Sequence, residues 1–512
     1  VRILLSLFLV LPALAQRPFA VEEATIAGVH AAMVAKRLSC EGLVQSYLDR
    51  IAAYDQQGPA LNSLILVNPG ALAEARALDA RFREGGVTGP LHCVPLIVKD
   101  NMETAGMATT NGALVFQKYV PAKDAFQVAR VKRAGALVLA KSSMAEWAFS
   151  PYETVNSVLP GYTKNPYALD RVTAGSSGGT AAAVAANLGL AGLGTDTGNS
   201  IRGPASHQAL VGIRSTMGLT SRAGVFPLVL SADIAGPITR TVEDAAKILA
   251  VVAGTDPEDA VTAEADRHLP QFQWNREALR GARIGVLREA YVRETTDAEV
   301  VAVFTRALGE LRRAGATVVE VAPIPGFAEL RRARDTGPCM GFQYDLPRFL
   351  AARQGQVPVQ TMGEILQSNG YHPHVQRRLE TAARGPVNGP ESAACAADRE
   401  FRERFRRAVL EAMETHKLDA YAYPTWSNPP RRIGDLNTPH GDNSQVFSPT
   451  TGFPALSVPV GYTRGNQLPL GMTLLGRPWT EGRLVDLAYA YEQATRHRRP
   501  PASAPPLSKR KR

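Results

Sequence analysis

Two short stretches bring hydroxyl, glycine and charged residues together: Ala174-Gly175-Ser176-Ser177-Gly178-Gly179-Thr180 and Gly194-Thr195-Asp196-Thr197-Gly198-Asn199-Ser200-Ile201-Arg202-Gly203-Pro204. A flexible Gly/Ser linker does not fit, because an Ala-rich helical pattern at 180–187 follows the first stretch at once. The chemistry such residues can do is acyl transfer. A serine hydroxyl becomes a nucleophile only beside a base. The negative oxygen that forms on the attacked carbonyl needs backbone N–H donors converging on one point. Thr197-Gly198-Asn199-Ser200 reads as a tight turn that presents consecutive N–H groups, with Ser200 as the candidate nucleophile. Asp196 and Arg202 flank the turn with opposite charges and suit a buried, bidentate clamp.

Two residues compete for the role of base. His207 is near in sequence, but it stands alone beside Gln208 and Ala209, as core histidines do. Lys99 closes the apolar run Val94-Pro95-Leu96-Ile97-Val98. Burial there would lower its pKa and leave a neutral amine, and Ser–Lys pairs are a known alternative to Ser–His. A further pattern, Gly175-Ser176-Ser177-Gly178-Gly179, matches the Gly-x-Ser-x-Gly of a Ser-His-Asp hydrolase with Ser177 as nucleophile. That motif needs a buried strand just before it, and residues 165–171 do not read as one.

The elements that must hold these residues follow from periodicity. Residues 21–83 read as helices, broken at Gly85-Gly86. The run 94–98 reads as a buried strand ending at Lys99. A helix at 127–134 leads through Gly135 into a strand at 136–140, and 301–314, Gly315 and 317–321 repeat that grammar. Residues 188–195 return to a strand after the Ala-rich helix. Helices alternating with buried strands predict an α/β protein whose central sheet is flanked by helices on both faces. Residues 327–416 read as a helical insertion. Strands at 421–424 and 455–462 and a helix at 481–494 close the domain, and 501–512 reads as a basic, disordered tail.

Together these motifs resemble the amidase signature family. The resemblance runs through 95–101, both Gly/Ser stretches, Gly212-Ile213-Arg214-Ser215-Thr216, Gly236-Pro237-Ile238 through Thr241-Val242-Glu243-Asp244, and Gly452-Phe453-Pro454-Ala455 with Pro469-Leu470-Gly471. It implies one large α/β domain over 16–500 with a central mixed sheet. It implies Lys99 as general base, Ser176 in a cis peptide as proton bridge, and Ser200 as nucleophile. It further implies backbone N–H groups of Thr197, Gly198, Asn199 and Ser200 as the oxyanion hole, with Asp196, Arg202 and Ser177 in support. The implied reaction is hydrolysis of an amide, anilide or carbamate through an acyl-enzyme, with esters accessible, and with no metal or cofactor. Two departures stand out: Asn199 where most members have Gly, and Ile213-Arg214-Ser215-Thr216 where Leu-Lys-Pro-Thr is common. A glutamyl-tRNA amidotransferase A-like subunit is the alternative within the family.

Composition narrows the setting. With 45% hydrophobic and 20% charged residues the chain is an ordinary globular one, long enough to bury a large core. The net charge is +10, but the excess sits on helical arginines such as Arg377, Arg378, Arg402, Arg404, Arg406 and Arg407 and on the tail 509–512. No aromatic-interleaved basic module accompanies it, so a nucleic-acid partner is not expected. Cys40, Cys93, Cys339 and Cys395 form no Cys-x-x-Cys pair, leaving disulfides or buried thiols open. Arg2, the apolar run 3–14 and Ala13-Leu14-Ala15 outline a signal peptide of residues 1–15, hence export to a periplasm or the exterior. The run is too short to span a bilayer, so stable membrane insertion is not expected. The expected partners are a small amide or carbamate and water, in a monomer or homodimer. Trp147, Phe149, Tyr152, Phe226, Phe342, Trp426 and Phe447 lie in segments that could line an aryl or acyl pocket.

Overall fold

The computed structural model describes residues 19–333, 339, 341–385 and 387–507. The expected signal segment 1–15 and the last residues of the tail lie outside the described residues. The strands are β1 (Leu64–Val67), β2 (Pro95–Lys99), β3 (Leu137–Ser142), β4 (Lys164–Asn165), β5 (Ala168–Val172), β6 (Ala191–Asp196), β7 (Val211–Arg214), β8 (Ile234–Thr239), β9 (Arg283–Val286), β10 (Thr317–Val319), β11 (Ala420–Pro424), β12 (Ala455–Thr463) and β13 (Leu468–Leu475). Eleven of them form one sheet in the order β1-β3-β2-β6-β8-β7-β12-β13-β11-β9-β10, and β4 pairs with β5 alone.

The sheet is mixed. β2 runs parallel to both β3 and β6, and β9 parallel to both β10 and β11, while the other pairings are antiparallel. Strands β2, β3, β6, β8, β11 and β13 are buried at every position. An alternating strand would leave one side wet, so this pattern requires cover on both faces. The helix Gly178–Ala185 supplies part of it and is itself buried throughout. Its small residues are what let it sit so close: a Cβ on Gly179 would lie 2.2 Å from the Ser143 carbonyl oxygen.

Three details differ from the sequence reading. The stretch 21–83 contains β1 between its helices, because a four-residue strand on a sheet edge carries too little pattern to see. β8 and β13, which contain Gly236-Pro237 and Pro469, are not among the strands expected from periodicity. Residues 501–507, expected to be disordered, lie in place: Ala504 is buried and its carbonyl accepts from Arg50 at 2.8 Å. The buried guanidinium of Arg50 needs acceptors, and the tail provides them. Residues 327–416 hold the helices Phe327–Ala333, Gly341–Ala351, Met362–Ser368, Gln376–Arg384 and Ala393–Thr415. The middle of this segment builds a second hydrophobic cluster with Phe116, Trp147 and Phe226. Disulfides join Cys40 to Cys93 and Cys339 to Cys395.

Candidate active site

Parallel pairing sends β3, β2 and β6 out of the sheet on the same edge, and the candidate site is built on that edge. Lys99 is the last residue of β2 and is fully buried. Its Nζ donates to Ser176 Oγ and to Thr195 Oγ1, each at 2.7 Å. Burial pulls the ammonium pKa down to about 7, opposed by the carboxylates of Asp196 and Asp233. The other buried lysine behaves differently. Lys141 Nζ lies 3.4 Å from Asp100 and donates to Met102 O and Thr109 Oγ1. Burial lowers the pKa of both, but among the described residues Lys99 has no carboxylate within 4 Å to hold its charge, whereas Lys141 has Asp100.

The peptide Gly175–Ser176 is cis. Its surroundings hold it from both sides: Ser176 O accepts from Ala145 N at 3.0 Å, and Gly175 N donates to Pro151 O at 2.9 Å. A Cβ on Gly175 would lie 2.4 Å from Ser150 O, so only glycine fits. Ser177 is also fully buried. Its Oγ donates to Thr195 O at 3.2 Å and accepts from Thr195 N at 3.3 Å, while its own N–H donates to Ser200 O at 3.3 Å. These bonds tie the first stretch to β6 and to the second stretch. Among the described residues no histidine bonds to Ser177. His207 is buried against the Trp426 ring at 4.5 Å, and burial pulls its pKa to about 3, so it stays neutral in the core.

β6 ends at Asp196, and the turn after it depends on that carboxylate. Arg202 Nε lies 3.1 Å from one oxygen and its terminal nitrogen 3.2 Å from the other. Oδ2 also accepts the N–H groups of Ile201 and Arg202. Arg214 reaches Asp196 from the other side at 3.3 Å and donates to its carbonyl. Burial works against the Asp196 charge, but the two guanidiniums more than offset it and hold the carboxyl below its usual range. The bonds of the clamp are spent on Ile201 and Arg202. Among the described residues, the N–H groups of Thr197, Gly198, Asn199 and Ser200 have no acceptor. Unpaired donors of this kind are what an oxyanion hole requires.

Asn199 sits in this turn without the positive φ that its replacement of Gly suggests; the left-handed residues of the chain do not include it. Its side chain is buried, and Nδ2 donates to Asp442 Oδ2 at 2.7 Å. No hydrogen bond joins the Ser176 and Ser200 hydroxyls directly; Ser176 meets Lys99, and Ser200 is 5% exposed to a cavity.

That cavity has a volume of about 1080 Å³ and is lined by Thr197–Ser200 together with segments from 148–153, 228–232, 374–378, 398–402 and 431–450. Among the expected pocket aromatics, Phe149 and Tyr152 line it. Phe226 borders a smaller cleft beside Asn101, Thr195 and Thr197. The others are corrections. Trp147 and Phe342 pack into the second hydrophobic cluster, Trp426 covers His207, and Phe447 stacks on Phe327 in the main core. Closeness in sequence does not tell which way a side chain points.

The polar wall of the cavity has no signal in the sequence. Arg431 pairs with Glu153 at 3.2 Å, His374 meets the same carboxylate at 3.2 Å, and the Tyr152 ring stacks on His440 at 3.9 Å. Thr195 and Arg214 sit within the motifs, but nothing in their spacing gives them a role. Among the described residues, no group of three or more His, Cys, Asp or Glu is arranged to hold a metal, and no helix is long and apolar enough to cross a membrane.

The sequence pattern of the Amidase family matches residues 42–485. The chain belongs to that family. The A subunit of the Moorella thermoacetica glutamyl-tRNA(Gln) amidotransferase is 36% identical over 91% of this chain and 96% of its own length. The crystal structure of native peptide amidase from Stenotrophomonas maltophilia is 36% identical, covers 94% of this chain and 98% of that one, and superposes with a TM-score of 0.81. The corresponding A subunit from Thermotoga maritima is 27% identical, covers 93% of this chain and 95% of that one, and reaches 0.68. This amidase-family chain is an amide-cleaving hydrolase by that membership, and its single α/β domain with a large mixed sheet matches the solved relatives.

Proposed function

We propose that the chain hydrolyses amides with an extended acyl part, peptide amides foremost, through an acyl-enzyme on Ser200. The observation that carries this reading is the buried Lys99–Ser176 hydrogen bond of 2.7 Å set beside a turn of unpaired N–H groups at the cavity floor. Neutral Lys99 accepts the Ser176 proton as Ser176 accepts that of Ser200, and this second leg closes as substrate seats. Ser200 Oγ attacks the carbonyl carbon, and the N–H groups of residues 197–200 receive the charge that forms on oxygen. The relay returns the proton to the leaving nitrogen, the C–N bond breaks, and water attacks the acyl-enzyme by the same path in reverse.

The volume of the cavity, and the likeness in structure to a peptide amidase, support an acyl group larger than a simple aliphatic chain. The two disulfides and the apolar run 3–14 support an oxidising, exported setting. The test is a panel of peptide amides, anilides, carbamates and esters assayed with wild type and Ser200→Ala. Ammonia release from peptide amides by the purified chain, absent in Ser200→Ala, is expected. The relatives named as amidotransferase subunits favour a second reading, in which a partner and tRNA are needed. Turnover that appears only with a second protein and an acceptor present would replace the first reading with that one.

A further inference from the structure

Asn199 stands in the turn whose residues line the cavity and whose N–H groups have no acceptor among the described residues, and its buried amide must find partners. The segment 442–445 supplies one. Asp442 Oδ2 accepts from Asn199 Nδ2 at 2.7 Å and from Gln445 Nε2 at 2.9 Å, and its Oδ1 accepts from Ser444 N at 2.9 Å. The same segment holds the turn at two more points: Ser444 O accepts from Arg202 at 3.2 Å, and the Gln445 amide lies where a Cβ on Gly198 would be, at 2.2 Å. The segment is itself fixed to β11, since Asn443 Nδ2 donates to Pro424 O at 2.8 Å. The inner clamp on Asp196 fixes the base of the turn through Ile201 and Arg202. Arg202 also donates to Gly198 O at 2.6 Å and Gly203 N to Asn199 O at 2.7 Å, so the carbonyls of residues 198 and 199 are held as well, and what the clamp leaves free is the Asn199 side chain.

We propose that Asp442 is a positioning residue for the reaction: through the Asn199 amide it fixes the direction of the N–H groups of Asn199 and Ser200. This rests on the reading of 197–200 as the oxyanion turn. Asp442 touches no reacting atom. It acts through Asn199 and, by holding the Gln445 amide against Gly198, through a second contact with the same turn.

The device predicts a specific pattern in kcat and KM. Asp442→Ala and Asn199→Ala both remove the 199–442 hydrogen bond, and Asp442→Ala also removes those to Ser444 and Gln445. Each lowers kcat on the order of tenfold to a hundredfold, as displacement of a transition-state group does, with KM within about twofold. The double variant shows the same loss as Asp442→Ala alone, because the Asn199 change then has nothing left to remove. Losses that multiply, or a fall in KM-side binding with kcat intact, would show that Asp442 serves general structure and overturn the proposal. Wild-type kcat in Asp442→Ala would do the same. Should Asp442→Ala fail to fold, Asn199→Ala leaves the 442–445 segment whole and decides alone: wild-type kcat there overturns the proposal. Failure of the underlying reading is separately visible, as Ser200→Ala would then keep turnover and a fluorophosphonate would not label Ser200.

Discussion

Lys99→Met separates what the buried lysine does for catalysis from what it costs the fold. Lys99 is fully buried, and burial brings its pKa from 10.5 to about 7. A shift of that size corresponds to roughly 5 kcal/mol against the charged form. The sign follows from proton counting. Below pH 7 both folded and unfolded chains carry the proton, and the penalty for a buried ammonium is fully present. Between about pH 7 and 10.5 the unfolded chain holds a proton that the folded one lacks, so the lysine's drag on stability fades by about 1.4 kcal/mol per pH unit. Lys99→Met removes that dependence together with the bonds to Ser176 and Thr195, which are worth about 1 kcal/mol each. The variant is therefore expected to be more stable than wild type near pH 6. Its advantage should shrink by about 2 kcal/mol between pH 7 and 9. Urea denaturation of both proteins across that range measures this. In parallel, wild-type kcat/KM should rise with pH through about 7 as the amine loses its proton, and Lys99→Met should be inactive throughout. A stability difference that stays constant from pH 7 to 9, or a rate flat from pH 6 to 8, would refute the account of Lys99 as a neutral buried base.

Three further outcomes are expected. Ser177→Ala loses the bonds to Thr195, about 1–2 kcal/mol of stability, yet keeps fluorophosphonate labelling that Ser200→Ala loses; the reverse pattern would move the nucleophile to Ser177. Arg214→Ala strips a buried carboxylate of one of its two cations and lowers unfolding free energy by about 3–5 kcal/mol, with Arg214→Lys milder because charge remains; equal stability of all three proteins in urea would contradict the clamp. Replacing Cys40 and Cys93 by Ala opens a closure 53 residues long and should lower stability by about 2–4 kcal/mol in a melt, while unchanged melting would mean that the bridge adds nothing.

The strands that carry chemistry were the legible ones, and for a physical reason. β2 and β6 are buried on both faces, so β2 is apolar up to Lys99, and β6 is built of small or apolar residues up to Thr195 and Asp196. Proline hid β8 and β13, since a missing N–H reads as a break unless the neighbouring strand leaves that position unpaired. The turn 197–200 could be read from its glycine and its flanking charges, but its second guanidinium, Arg214, comes from β7 and has no local spacing to Asp196. Nor could Asp442, 243 positions from Asn199, be found by any short pattern. Phe149 and Tyr152 line the cavity, but Trp426 and Phe447 have the same chemistry, and only the fold decides that they face inward. The pairing of cysteines was open in sequence because a core this large stands without bridges.

The cavity wall and the relay come from different parts of the chain. Lys99, Ser176 and Ser200 lie at the end of β2, just before the helix Gly178–Ala185 and just after β6, whereas most of the wall is supplied by 228–232, 374–378, 398–402 and 431–450. Inheritance can therefore act on them separately. Insertions, deletions or exchanged segments after β7 can remodel which acyl groups fit while the reaction stays as it was, and the segment 442–445 marks where such an exchange would reach back into the chemistry.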